Sequence, residues 1–143
     1  MATAGQIVRA KRSPVTYTIG PEESVYEALR LMAEKNIGGL VVMEGGTIVG
    51  MFTERDYARK VVLQSRTSRE TRVADVMASP VVCVGPHKTN EECMGLMTAK
   101  RVRHLPVVEG GRLVGIVSIG DLVKDIIAEQ RFTIEQLEHY IAS

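Results

Sequence analysis

Two short stretches carry residue types that can hold a sugar phosphate. Gly50-Met51-Phe52-Thr53-Glu54-Arg55-Asp56 and Gly115-Ile116-Val117-Ser118-Ile119-Gly120-Asp121 share one order: glycine, two apolar residues, a hydroxyl, two variable residues, aspartate. An apolar run leads into each, and a helix-like run, Tyr57 to Leu63 or Leu122 to Ala128, leads out. A Thr or Ser hydroxyl at a helix start can donate to a phosphate oxygen, where unpaired N–H groups and the helix dipole already favour an anion. A carboxylate one turn further in can accept from both hydroxyls of a ribose. Taken singly, however, [Ser/Thr]-x-x-Asp is also an ordinary capping box. Both readings stay open at this point.

The elements that must position these stretches are themselves duplicated. A shift of 65 positions lays 50 on 115 and 56 on 121, and the match runs without a gap from about residue 18 to residue 62. Identical pairs include Gly20/Gly85, Pro21/Pro86, Glu27/Glu92, Met32/Met97, Leu40/Leu105, Gly45/Gly110 and Gly46/Gly111. Two copies of one supersecondary unit follow. In each copy a β-branched run ending at Gly-Pro, Val15 to Ile19 or Val81 to Val84, predicts a short strand. Ser24 with Glu27, and Thr89 with Glu92, predict capped helix starts. Ala28, Leu31 and Met32, like Cys93, Leu96 and Met97, give those helices an inward face, with Asn36 or Arg101 at the end. Two strands then flank Glu-Gly-Gly, whose glycines supply the positive φ of a tight hairpin. Pro106 points to an edge or strand-start position for its strand.

The unit is therefore β-α-β-β-α, and the fold class α+β (mixed α/β), two tandem repeats with terminal helices. The repeats are placed at 14–66 and 73–130. Residues 131–143 are read as a separate C-terminal helix, because Thr133-Ile134-Glu135-Gln136 is another capping box and Ile134, Leu137, Tyr140 and Ile141 share a side. The polar, basic stretch from Gln64 to Arg72 reads as a solvated linker, and Val73 to Met77 as a helical turn before the second copy. A short amphipathic helix is expected around Ile7 and Val8.

Composition narrows the function classes. A chain of 143 residues suffices for one compact domain or two small halves. Lys+Arg 18 against Asp+Glu 17 gives a net charge of +1, which argues against nucleic-acid binding by bulk positive field. No apolar run nears the ~20 residues a membrane span needs, and the N-terminus has no signal-peptide pattern. A cytoplasmic protein with Cys83 and Cys93 both buried and reduced is the expectation. His87 and His139 have no neighbouring ligands at metal-site spacing, so no metal is expected. Gly115 to Gly120 is not a nucleophile elbow, because its serine is one residue too far from the first glycine. Gly45 to Gly50 joins two strands, so it is not a dinucleotide fingerprint. No spacing suggests a catalytic set.

The duplicated motifs, together with Arg103-His104-Leu105-Pro106-Val107-Val108 and Val73-Ala74-Asp75-Val76-Met77, resemble a cystathionine β-synthase (CBS) domain pair, or Bateman module. The resemblance covers about residues 14 to 128. In Thr53-Glu54-Arg55-Asp56-Tyr57-Ala58-Arg59-Lys60-Val61 the chain is similar to small stand-alone bacterial pairs and plant organellar ones. It implies two repeats packed as a pseudo-twofold pair that binds an adenosine compound in the clefts between them, without catalysis. AMP comes first, with ADP, ATP, NAD(H) or S-adenosylmethionine behind it. It further implies Asp56 and Asp121 on ribose and Thr53 and Ser118 on phosphate. Thr18, Ile19, Cys83 and Val84 would lie on adenine. Ile37 and Gly38 in one copy, and Arg103 and His104 in the other, would reach towards phosphate; if those cations point across the pseudo-twofold axis, the two sites are unequal. A homodimer and a regulated partner protein are implied as well. The alternative is an interaction module acting on a separate enzyme or redox partner, with nucleotide structural or absent.

Overall fold

The computed structural model describes residues 2–11 and 15–142, so the expected repeat boundary at 14 lies outside the described residues. The chain divides into two compact units. One is contiguous, residues 16–81; the other joins the N-terminal segment to residues 82–143.

In the contiguous unit, β1 (Thr18–Ile19) pairs parallel with β2 (Gly39–Glu44), which pairs antiparallel with β3 (Thr47–Thr53). Gly45 and Gly46 turn the hairpin at φ 56° and 80°, conformations that cost a glycine nothing. Helix α2 (Val25–Lys35) lies between β1 and β2 in sequence. Ser24 caps its start, and Asn36 ends it in the left-handed conformation. Its inward face, Val25, Ala28 and Met32, packs with Leu40, Val42 and Phe52. After β3 come the single turn α3 (Glu54–Asp56) and a π-helical run, Tyr57–Val62.

The stretch from Gln64 to Arg72 is exposed, as a solvated linker should be, except at Ser68 and Thr71, where it docks on the start of α2. Thr71 is buried, its carbonyl accepts from Val25 N, and Ser68 O accepts from Tyr26 N. The opening turn of any helix has N–H groups without intrahelical partners, and this stretch supplies acceptors for two of them. Arg69 stacks on the Tyr26 ring at 3.9 Å, and Arg72 bridges Glu22 and Asp75. The chain continues into α4 (Val73–Val76), whose Val73 and Val76 complete this unit's core.

The second unit repeats the plan with α5 (Asn90–Lys100), β4 (His104–Glu109), β5 (Arg112–Ser118) and α6 (Ile119–Ala142). Its expected first strand is reduced to one bridge: Val84 N donates to Pro106 O, and Val108 N to Val84 O. A second bridge, the counterpart of Thr18↔Val41, needs a donor at position 106, and proline has none. Asn90 is buried; its Nδ2 donates to Leu122 O and Asp125 Oδ2, tying α5 to α6.

The N-terminal segment does here what residues 71–77 do in the other unit. Asn90 N donates to Ala2 O, and α1 (Ala4–Arg9) buries Ala4, Ile7 and Val8 in this core. Val8 lies over Gly115 as Met77 lies over Gly50. A side chain at either glycine would run into those residues.

The expected separate helix at 131–143 is instead the second half of α6, continuous from Ile119 to Ala142. No glycine or proline stands between Asp121 and Ala142 to interrupt it. Thr133, expected as a cap, donates its hydroxyl to Glu129 O inside the helix.

Candidate functional site

Each unit presents the duplicated motif as a corner between the last strand and the following helix. In the contiguous unit Thr53 closes β3, and the start of β2 is held against it: Gly39 is in register with Thr53, and Glu54 N donates to Gly38 O at 3.1 Å. Thr53 Oγ1 accepts from Asp56 N at 3.3 Å. Asp56 Oδ2 accepts from Thr53 N at 3.0 Å and from Thr53 Oγ1 at 3.1 Å. This is a reciprocal capping box. Lys60, one turn on, places Nζ 3.4 Å from Asp56 Oδ1 and donates to Val76 O.

The second unit builds the same corner with other parts. His104 is in register with Ser118, and Ile119 N donates to Arg103 O at 2.9 Å. Asp121 N donates to Ser118 Oγ at 3.1 Å, and Ser118 N to Asp121 Oδ2 at 2.8 Å. The residue equivalent to Lys60 is Asp125, and the ammonium comes from Lys11 instead. Its Nζ lies 2.8 Å from Asp121 Oδ2 and donates to Ile116 O at 2.6 Å. Burial pushes the half-buried Asp121 carboxyl up, but Lys11 and the Ser118 N–H outweigh it, holding the group below the usual carboxylate range. Both corners thus bring an ammonium to the motif aspartate, from unrelated points of the chain.

The sequence-predicted residues separate into those the fold gathers and those it does not. Thr53, Asp56 and Gly38 meet at one corner; Ser118, Asp121, Arg103 and His104 meet at the other. Ile37 is half-buried beside the first, its N–H committed to Met32 O. Thr18 and Ile19 pair with Val41 and Val42, so they lie across β2 from their corner. They line a cavity of about 300 Å³ with Glu27, Arg30 and Leu31 that includes neither Thr53 nor Asp56. Val84 is buried against Val107, whereas Cys83, expected buried, is exposed where the first strand is reduced to that one bridge; Cys93 is buried as expected. The lysines were missed. Lys60 was readable as an i,i+4 partner of Asp56; Lys11, remote from Asp121 in the chain, left no local signal. Among the described residues no cluster of three His, Cys, Asp or Glu can hold a metal, and no helix is long and apolar enough to cross a membrane.

Hydroxyl, carboxylate and helix start at each corner already satisfy one another, so a ligand there shares these groups rather than finding them idle. The two units define a tandem-repeat α+β module with one hydroxyl–carboxylate corner per repeat. The CBS domain profile matches residues 5–63 and 73–128, and the chain belongs to that family. It is 38% identical over 125 residues to the mitochondrial CBS domain-containing protein CBSX3 of Arabidopsis thaliana, covering 84% of this chain and 61% of the plant protein's length. It is 38% identical over 105 residues to YhcV of Bacillus subtilis, covering 73% and 74% of the two chains. The solved structure of a CBS-domain protein from Burkholderia ambifaria MC40-6 superposes with a TM-score of 0.87. That protein is 53% identical, over 90% of this chain and 96% of its own. CBS domain pairs are a regulatory module family whose members often bind adenosine ligands.

Proposed function

We propose that this protein is a non-catalytic regulatory module that senses an adenosine-containing ligand. AMP is the first candidate, followed by ADP, ATP, NAD(H) and S-adenosylmethionine. The carrying observation is the matched pair of corners, in which a hydroxyl and an aspartate cap a helix start beside a lysine ammonium. The aspartate accepts from the ribose hydroxyls. The hydroxyl and the first-turn amides take the phosphate. Ligand bound more tightly in one arrangement of the module than in another shifts it towards that arrangement, and this difference is the signal. The module acts as a homodimer on a separate protein.

The test is a thermal-unfolding panel with each of the five adenosine compounds. Ligand at about 100 times its Kd adds ~2.7 kcal/mol, several degrees for a domain of this size. The absence of a shift with every compound would refute ligand sensing. Given a binder, Asp121→Ala and Asp56→Ala each remove a charged acceptor worth ~1.5–3 kcal/mol, which calorimetric titration reads directly. Unchanged affinity in both variants would reduce the motif to a helix cap.

A further inference from the structure

From Ile127 to Ala142 every residue of α6 is exposed. An isolated helix of this length is marginal in water, so this half needs something to pack against. Its composition says what. Val123, Ile127, Gln130, Ile134, Leu137 and Ile141 follow one another at alternating steps of four and three, the a/d seam of a coiled coil. The five apolar members are 40–81% exposed. The same side of α6 opens on a groove of about 580 Å³ walled by Met94 of α5 and sharing Gln130 and Ile134 with the seam. Groove and seam are thus contiguous through Gln130 and Ile134.

We infer that the occupant is α6 of a second copy, laid antiparallel. The charges flanking the seam decide between directions. A parallel pair sets Arg131 against Ile126 and Glu138 against Thr133, with no opposite charges facing. An antiparallel pair packs Ile134 on the second copy's Leu137 and Gln130 on its Ile141. It also brings Arg131 opposite Glu138, twice by symmetry. The helix is self-complementary in that direction alone. This inference rests on the homodimer reading above and supplies its surface; it is independent of the ligand.

The test is sedimentation of the full chain without nucleotide. The expected wild type is a dimer, and Leu137→Asp a monomer at the same concentration. Arg131→Glu and Glu138→Arg, both on exposed positions, each weaken the dimer roughly tenfold, and the double reversal R131E/E138R restores it. A monomeric wild type overturns the inference and the homodimer reading together. A dimer indifferent to Leu137→Asp leaves the homodimer standing and overturns α6 as its surface. Singles that weaken without rescue by the double reversal, or that change nothing, overturn the antiparallel register.

Discussion

Gly115→Ala tests the packing of the N-terminal segment on the second repeat. Position 115 lies in β5, where φ is negative and alanine is conformationally welcome; the obstacle is steric. A Cβ there would run into Val8 Cγ1, with Cγ2 at 2.9 Å and Cβ at 3.2 Å. Val8 is β-branched and stiff at χ1, and it is buried, so it has little room to turn away. Overpacking of this kind costs ~1–3 kcal/mol. Removing a strand glycine returns ~0.5–1 kcal/mol, leaving a net loss of about 1–2 kcal/mol. Val8→Ala alone removes two buried methyl groups and costs about 2 kcal/mol with its cavity. In the double variant the new methyl at 115 occupies space that Val8 vacated, so the combined loss falls below the sum of the singles by about 1–2 kcal/mol. Urea unfolding of the four proteins reads the cycle from their midpoints. Additivity within about 0.5 kcal/mol would show that Val8 does not rest on Gly115, and the placement of α1 would be wrong.

Two further outcomes follow from neighbouring features. Gly95→Ala, in the exposed interior of α5 with nothing within 4 Å of the added carbon, should stabilise by ~0.5–1 kcal/mol and raise the urea midpoint. Lys11→Met removes the ammonium that, with the Ser118 amide, keeps Asp121 ionised below its ordinary pKa. That stabilisation is present above the unfolded-state pKa of about 3.9 and is lost as pH falls through the lower folded value. The gap between wild type and Lys11→Met should therefore be widest at neutral pH and close below about pH 4. A gap constant from pH 7 to pH 3 would mean that Lys11 contributes only packing.

What could be read locally was read well, because the physics was local. The glycine hairpins, the terminating Asn36 and Arg101, and the caps at Thr53 and Ser118 all lie within a few residues of their partners. The repeat shift of 65 likewise exposed the β-α-β-β-α unit. The lead-in escaped because it follows a different shift. Residues 3–8 answer to 72–77, four positions out of step with the rest. Their matches, Ala4 with Val73 and Ile7 with Val76, are only like for like. The break expected before Thr133 had a capping pattern but no terminator. The π-helical turns after Asp56 have no residue signature. The Lys11 contact is purely tertiary.

The division of the chain into units also has a temporal meaning. Residues 16–81 are contiguous, so every partner that repeat needs exists once position 81 has been synthesised. Residues 2–11 are made before that repeat yet belong to a core whose β4, β5 and α6 are made after it. During synthesis the segment bearing Ile7, Val8 and Lys11 must wait, its apolar face uncovered, for most of the chain to emerge. Loss of residues 2–11 would accordingly injure the repeat encoded farther from them and spare the one encoded next to them.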